Sequence, residues 1–195
     1  MSTMRRKERE VTDPKLIAEM LKVFDQCVVC MFDEDGYPYA VPMSPGWEMD
    51  ENGLKVYIHC APAGHKMELM RKNPHVCVVF SAFQDFPETP YKGHKHDYRS
   101  IIAKGTVTFY DGHDNYDIYK RGHTLTHTCN HRPEHALSPD RIPPMLIGVI
   151  DCPRDQVTAK AEFPVKNIED VPFRDIRIIR GEVPEDFHEE LIKNM

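Results

Sequence analysis

The amino-acid sequence predicts a mainly β fold, an antiparallel barrel preceded by a helix and decorated with short helices. About seven segments have the length and alternation of β-strands, and most are joined by short turns. A long strand-like run carries Gly105 at its centre, as barrel strands do where they bend or approach a neighbour. An antiparallel barrel with helical decoration fits this combination best.

Composition narrows the class of protein. The 195 residues suffice for one domain with a core, or one domain with a tail. Because 25 basic residues are scattered among 31 acidic ones, giving a net charge of −6, we expect no nucleic-acid partner. The start, MSTMRRKEREV, lacks an apolar run of signal-peptide length, and no segment approaches the roughly 20 apolar residues of a membrane span. We therefore expect a soluble cytoplasmic protein without a membrane partner.

The six cysteines are predicted to be free thiols. No secretory signal accompanies them, so a disulfide framework is not expected. Cys27 and Cys30 have the CxxC spacing of redox and zinc sites. They lie in an apolar strand-like run with no second pair nearby, and we interpret them as buried thiols.

The first elements are a helix and a strand. Asp13 is predicted to cap a helix whose first residue is Pro14 and whose end lies near Gln26. Its apolar residues recur at steps of three and four, so one face should pack on the sheet. They are Leu16, Ile17, Met20, Leu21 and Phe24. A strand over 27–32 follows, and a turn at 33–36 leads into the next strand.

The stretch 36–74 is the part of the chain most suggestive of a ligand site. The strand 37–43 contains Pro38 and Pro42, which cannot donate ladder hydrogen bonds, so we predict an edge strand with a partly free backbone. We expect it to form a hairpin with the strand 54–60. Trp47 lies in the predicted connection, where it either covers a substrate opening or anchors the surface.

A turn around Gly64 then opens a short helix that Asn73 and Pro74 end. The exposed N–H groups of a helix start, with Lys66 and His65 beside them, form an anion site of the kind that holds phosphate. An ordinary cap with a solvated lysine is the competing interpretation.

The remaining chain is predicted to complete the barrel. We expect a buried strand over 75–81, a loop over 82–95, a strand over 98–110 and a short helix around Tyr116 and Tyr119. Four prolines make the following stretch irregular, and the segments 145–152 and 155–163 are predicted to be a closing pair of strands. Farther on, 176–179 has a strand pattern and 185–193 a helical one.

Histidines recur at intervals of four in the region after the long strand, at His123, His127, His131 and His135. On a helix this spacing places imidazoles on one face, where neighbours could bind zinc or another transition metal. Pro133 and several threonines argue against one continuous helix. Two interpretations stay open, a metal site that uses His123, His127 and His131, or a polar loop over the active site.

Five segments, taken in order, resemble the flavin-binding split-barrel superfamily that includes the pyridoxamine-phosphate oxidases. Within it the chain is most similar to the nitroimidazole-resistance (Nim) proteins. The segments are MRRKEREV (4–11), DGYPYAVPM (35–43), YIHCAPAGHKMELMRKNPHVCVVF (57–80), YRSIIAKGTV (98–107) and VTAKAEF (157–163). The resemblance implies an antiparallel split β-barrel over 1–163 that binds FMN, and a C-terminal extension over 164–195 that packs on the barrel or on a partner subunit.

The resemblance also implies a homodimer with FMN at the subunit interface, and it assigns roles to residues. The flavin ring would lie along one strand, with further residues under or beside it. His65 and Lys66 would hold the phosphate. The remaining implied cofactor contacts are Tyr39, Val41, Pro42, Met43, His59, Cys60, Ala61, Tyr98, Arg99 and Ser100.

These features lead to one main functional hypothesis and two alternatives. The main one is an FMN-dependent oxidoreductase, resembling Nim-type nitroreductases, that passes electrons from a reduced donor to a small aromatic or nitro-type acceptor. His59 would contact substrate or supply a proton, or else would only pack on the ring. The alternatives are a flavin-binding redox sensor or carrier, and a metal- or haem-binding protein that uses residues 123–135. Split barrels also host deazaflavin, so the fold alone does not select FMN.

Overall fold

The computed structural model describes residues 4–85, 96–133 and 137–173, which fold as an antiparallel split β-barrel, as the sequence predicts. Within these ranges, nine strands form one sheet and three α-helices accompany them. The strands are β1 (Glu10–Val11), β2 (Cys27–Phe32), β3 (Pro38–Met43), β4 (Gly46–Met49), β5 (Gly53–Cys60), β6 (His75–Asp85), β7 (His96–Asp111), β8 (Leu146–Pro153) and β9 (Val157–Ala161). The helices are α1 (Pro14–Leu21), α2 (His65–Lys72) and α3 (Tyr116–Thr128).

The strands follow the order β3-β2-β6-β7-β8-β5-β4, so β3 and β4 are the two ends of the path. The long strand β7 pairs with β6 along its first part and changes partner on its other edge, from β9 to β8. Gly105 lies at this change. A Cβ at this position would be 2.4 Å from the carbonyl oxygen of Asp151, which confirms the predicted close backbone approach.

The inner face of the sheet forms the main core. Residues directly opposite one another in antiparallel strands point to the same face, so rows of side chains cross the sheet. One such row runs through Val41, Val29, Val78, Ala103 and Val157. Helix α1 buries its apolar face in the same core, and the Asp13 side chain accepts a hydrogen bond from the N–H of Lys15 (2.8 Å), as its predicted capping role requires.

The outer face of β3, β2, β6 and β7 is also apolar, although it is exposed. A row on this face runs through Pro42, Val28, Val79 and Ile102. Phe32 and Phe83, on the same face, each leave 71% of their surface exposed. An apolar cleft of about 560 Å³ lies here, lined in part by Cys30, Phe32, Pro38, Cys77 and Lys104. Apolar surface of this extent is typical of an interaction face.

Several predicted details are wrong. Strand β3 pairs with β2 and strand β5 pairs with β4 and β8, so the predicted hairpin between β3 and β5 does not form. Trp47 lies on strand β4, opposite Val56, and not in a loop. The predicted closing pair is also absent, because β8 pairs with β5 and β7 while β9 pairs with β1 and β7. Helix α1 ends at Leu21 and not near Gln26.

Other predictions hold, are extended, or lie outside the described residues. Helix α2 ends at Lys72 with Asn73 as its cap, and β2 has its predicted bounds. Strand β6 extends to Asp85, into the first residues of the predicted loop. The rest of that loop from 86, His135, the strand pattern at 176–179 and the helical pattern at 185–193 lie outside the described ranges. No helix within those ranges is long and apolar enough to cross a bilayer.

Candidate functional site

Two regions bring polar side chains together beside the core. The first, which we call the β3/α2 region, consists of strand β3 and the start of helix α2 at residues 64–66. The second, the β5/α3 region, consists of His59 on strand β5 and residues 123–127 of helix α3. The two regions are formed by different parts of the chain, and their side chains differ in burial.

In the β3/α2 region, the helix start is open. Gly64 caps α2 with φ +114°, a conformation that L side chains rarely adopt, and a Cβ there would meet no heavy atom within 4 Å. Among the residues that the structure describes, no side chain caps this end of the helix by a hydrogen bond. The N–H groups of the first turn therefore face a space in which an anion can approach them.

Two basic side chains join the open helix start to strand β3. The Lys66 ammonium group donates to Met43 Sδ at 3.5 Å, and the His65 ring lies edge-on to the Tyr39 ring with centroids 4.8 Å apart. His65 Nε2 also lies 2.8 Å from Asp33 Oδ2, and half of its side chain is exposed. The structure thus brings the predicted ring strand and the predicted phosphate residues together.

The predicted ring neighbours on β3 do not all share one face. Tyr39, Val41 and Met43 are half-buried and pack against the core, whereas Pro42 points to the exposed outer face. Strand β3 has β2 as its one strand partner within the described residues, so the edge position predicted from the prolines is confirmed.

The β5/α3 region is a cluster of three imidazoles. One nitrogen from each of His59, His123 and His127 can be chosen so that all three lie within 4.8 Å of one another. The rings of His123 and His127 stack with centroids 4.3 Å apart, and the His59 ring lies 5.2 Å and 5.8 Å from them. His123 is buried, and the other two are half-buried.

Hydrogen bonds fix the tautomers of two of these rings. The single hydroxyl hydrogen of Thr126 is donated to the His123 carbonyl (2.8 Å), so the 3.1 Å contact between Thr126 Oγ1 and His59 Nε2 requires the imidazole N–H to donate. His127 Nδ1 lies 2.9 Å from the same carbonyl, which can only accept. In neutral rings the lone pairs are therefore at His59 Nδ1 and His127 Nε2.

Burial, reinforced by His123, His127 and the guanidinium of Arg132, lowers the pKa of His59 to about 4. At neutral pH the ring is therefore uncharged. The predicted role of His59 as a proton source stays a prediction, and it would have to start from the neutral imidazole.

Helix α3 can reach His59 because it lies unusually close to the sheet. A Cβ at Gly46 would be 2.6 Å from backbone atoms of Leu125 and Thr126. The Asn130 side chain donates to the Pro45 carbonyl at 2.8 Å, which holds the end of α3 against the start of β4. These contacts set the helix over the outward-facing side chains of β5, among which His59 lies.

A carboxylate shared between strand and helix supports the same arrangement. Tyr57 donates its hydroxyl to Glu48 (2.6 Å), and Arg121 of α3 pairs with Glu48. Although partial burial opposes it, the hydrogen bonds from Arg121 and Tyr57 lower the pKa of Glu48. Burial and the bond to Glu48 raise the pKa of Tyr57 to about 12, so the phenol stays protonated as the donor.

The predicted cofactor residues of β7 lie apart from both regions. Arg99 is fully buried, pairs with Asp97 and donates to the carbonyls of Asp170, Val171 and Pro172 at 3.0–3.2 Å. Tyr98 accepts from Arg9 at 3.1 Å. Ser100 lies half-buried on β7, opposite Ser81. Arg99 therefore fastens residues 170–172 to the barrel.

The remaining predicted site residues are Cys60, Ala61 and His131. Cys60 points into the core and is fully buried, while Ala61 is exposed beside the α2 turn. His131 has φ +53° and lies beyond the end of α3. The third imidazole of the cluster is therefore that of His59, and not that of His131 as predicted.

Sequence reasoning missed that His59, His123 and His127 meet, and it did not single out Thr126. The i, i+4 spacing of the two helical histidines was visible, and so was the position of His59 on the outward face of β5. Which helix covers that face depends on contacts distant in sequence.

A protein-family model described as pyridoxamine 5'-phosphate oxidase matches residues 13–127, which include both regions. No curated protein matches the chain significantly. Among solved structures, one similar fold is a Bacteroides thetaiotaomicron protein named for 5-nitroimidazole antibiotic resistance. It is 23% identical with a TM-score of 0.64, over 78% of this chain and 86% of that one.

Two mycobacterial proteins also share the fold. A conserved hypothetical protein from Mycobacterium tuberculosis is 12% identical with a TM-score of 0.62, over 89% of this chain and 96% of that one. An FAD- and haem-binding protein from Mycobacterium smegmatis is 15% identical with a TM-score of 0.57, over 93% of this chain and 97% of that one. Because these sequence identities are low, the matches show that the chain shares the fold of these proteins and nothing more.

Proposed function

The chain belongs to the pyridoxamine 5'-phosphate oxidase family, and on that premise we propose that it is an FMN-dependent oxidoreductase. It would pass electrons from a reduced donor to a small aromatic or nitro-type acceptor, and would act as a homodimer. The family match confirms the resemblance stated from the sequence motifs. The name of the Bacteroides protein makes nitro compounds the first acceptors to test.

The observation that carries this proposal is the meeting of strand β3 with the start of helix α2. Lys66 reaches Met43, His65 packs on Tyr39, and the helix start at Gly64 is open. A ligand with an anionic end and a flat apolar end would match the two halves of this region. FMN has such a form.

The α2 start suits a phosphate. Its first-turn N–H groups carry the positive end of the helix dipole, and the Lys66 ammonium adds a mobile charge. The positive φ of Gly64 lets the backbone turn toward the ligand without a side chain in the way. Lys66 and the helix start would bind the phosphate, while the His65 contact with Asp33 would orient that ring.

The strand offers apolar contact for the flavin ring. Tyr39, Val41 and Met43 are half-buried, so part of each side chain remains available to a ligand. When bound, FMN supplies the electron transfer, and these residues would orient the ring and limit the access of water to it.

The apolar outer face supports the homodimer. Phe32 and Phe83 are each 71% exposed, and Val28, Val79 and Ile102 lie in rows beside them. A second copy of the chain packed on this face would remove that apolar surface from water.

Paired ligands test the cofactor proposal. The flavin-free protein is titrated with FMN and with riboflavin, which lacks the phosphate. We expect Lys66→Gln to weaken FMN binding roughly tenfold to a hundredfold and to leave riboflavin binding unchanged, because only the charge-assisted phosphate contact is lost. Lys72→Gln, at the opposite end of the same helix, is the matched control and should change neither affinity.

The absorbance spectrum of the protein as purified gives the complementary measurement. A flavin spectrum whose released chromophore is FMN supports the proposal. If the protein binds no flavin, or if Lys66→Gln and Lys72→Gln affect FMN equally, the phosphate site is not at the α2 start. Bound FMN that is reduced but transfers no electrons to nitro, quinone or other aromatic acceptors would favour the sensor or carrier alternative.

A further inference from the structure

The three imidazoles of the β5/α3 region form a compact nitrogen-only cluster outside the β3/α2 region, which carries the flavin proposal. We propose that His59, His123 and His127 bind one divalent transition-metal ion such as Zn²⁺. The cluster draws on a strand and a helix, and one nitrogen from each ring lies within 4.8 Å of the other two. The proposal is independent of flavin binding.

The size of the cluster suits a single ion. Zinc–imidazole bonds of 2.0–2.1 Å in tetrahedral geometry place ligand nitrogens about 3.3 Å apart. The present 4.8 Å limit is somewhat wider, so modest side-chain rotations would bring the three nitrogens onto one ion. His123 and His127 already stack on adjacent turns of α3, so two of the three rings lie side by side.

Hydrogen bonds to oxygen acceptors orient two of the three rings. His59 donates Nε2–H to Thr126 and His127 donates Nδ1–H to the His123 carbonyl, so each neutral ring carries its lone pair on the other nitrogen. Metal-binding histidines characteristically donate their second ring N–H to an oxygen acceptor, which fixes the ring and its tautomer. Two of the three proposed ligands already have this second partner.

The donor set selects the kind of ion. Three neutral imidazoles suit Zn²⁺, Co²⁺, Ni²⁺ or Cu²⁺, and they lack the carboxylate and carbonyl oxygens that Mg²⁺ and Ca²⁺ require. The stacked rings of His123 and His127, with centroids 4.3 Å apart, leave no room for a haem plane between them. Because His59 and His127 are half-buried, solvent can reach the cluster and water can supply the fourth ligand.

Direct titration of untagged, chelator-treated protein with Co²⁺, followed by displacement with Zn²⁺, tests the proposal. We expect one Co²⁺ per chain, with a visible ligand-field spectrum that Zn²⁺ abolishes. His127→Gln should weaken binding at least a hundredfold. The matched control is His131→Asn, which removes a nearby histidine outside the cluster and keeps a residue that tolerates the positive φ at that position.

A second variant and a second readout protect the test against misfolding. Thr126→Val removes the oxygen that accepts from His59 without removing a ligand, and should weaken Co²⁺ binding about tenfold to a hundredfold. Thermal unfolding with and without Zn²⁺ should show ion-dependent stabilisation in the wild type and in His131→Asn, but none in His127→Gln.

Either of two results would overturn the proposal. One is a wild-type chain that binds no Co²⁺ or Zn²⁺ above background. The other is equal weakening of binding by His131→Asn and His127→Gln. The titrations are run with flavin-free and with FMN-loaded protein, so failure of metal binding and failure of flavin binding are separate outcomes.

Discussion

The β3/α2 and β5/α3 regions use histidine in opposite ways. His65 is half-exposed on a short helix start, beside a glycine with open space above it. His59 lies beneath a helix, is held by Thr126, and packs against two other imidazoles. The first region is an open helix start beside a strand, whereas the second is a compact group of three rings covered by a helix. Exposure and partners, more than residue type, decide what each histidine can bind.

The two regions also differ in whether the residues that form them are close together in the sequence. The open helix start of the β3/α2 region comes from neighbouring residues, Gly64 to Lys66, that shape one turn. The β5/α3 region depends on contacts between residues distant in sequence, among them the close approach of α3 to Gly46. Changes to the scaffold should therefore affect the second region more than the first.

The largest effect is expected at Arg99, which belongs to neither region. Replacing it with Leu removes the buried partner of Asp97 and the donors to the carbonyls of residues 170–172. Breaking a buried ion pair from one side costs about 3–5 kcal/mol. Urea unfolding should show this loss, and Arg99→Lys, which keeps the charge with fewer donors, should lose less.

Arg121→Gln is the control for this prediction, because it removes an exposed arginine whose ion pair contributes about 1 kcal/mol or less. If Arg99→Lys lowers flavin affinity while stability is unchanged, Arg99 acts at the cofactor, as the family resemblance implied. The assignment of Arg99 to the scaffold would then be wrong.

The next largest effect is expected from Gly46→Ala, which tests the difference between the regions most directly. The added methyl would overlap backbone atoms of Leu125 and Thr126, so α3 must shift, at a cost of about 1–3 kcal/mol in unfolding free energy. Because the shift moves His123 and His127 away from His59, Co²⁺ binding should weaken at least tenfold. FMN affinity should stay within twofold of the wild type.

Gly36→Ala is the companion variant, since Gly36 has a positive φ in an exposed turn with open space around it. It should affect stability without weakening Co²⁺ binding. Equal losses of FMN and Co²⁺ affinity in Gly46→Ala would show that the two regions are coupled.

Features of the fold that depend on neighbouring residues were predictable. Asp13 and Pro14 start α1, Asn73 ends α2, and the alternation of β2 gives its bounds, because caps, prolines and strand period act within a few residues. Strand partners were harder to predict. An alternating pattern specifies which face of a strand is apolar but not which strand lies beside it, so β5 was assigned to β3 in error.

The two candidate regions differed in the same way. The region formed by neighbouring residues could be predicted, whereas the grouping of residues distant in sequence could not. The phosphate prediction at Lys66 depended on one turn and could be made from the sequence, while its cofactor remains a proposal. The helical histidines were recognised by their spacing, yet the third was taken to be His131, since nothing local indicates that β5 lies beneath α3. The positive φ of His131 beyond the helix end separates it from the cluster.

The smallest effect is expected at Cys60, the residue next to His59. Its side chain is fully buried in the core, and burial raises the pKa of its thiol, so it stays protonated and unreactive at pH 8. Alkylation by iodoacetamide, mapped by mass spectrometry, should leave Cys60 unmodified with or without FMN. The chain unfolded in urea is the reference, in which Cys60 should be alkylated. Labelling of Cys60 that FMN suppresses would instead place the cofactor against β5, and the separation of the two regions would fail.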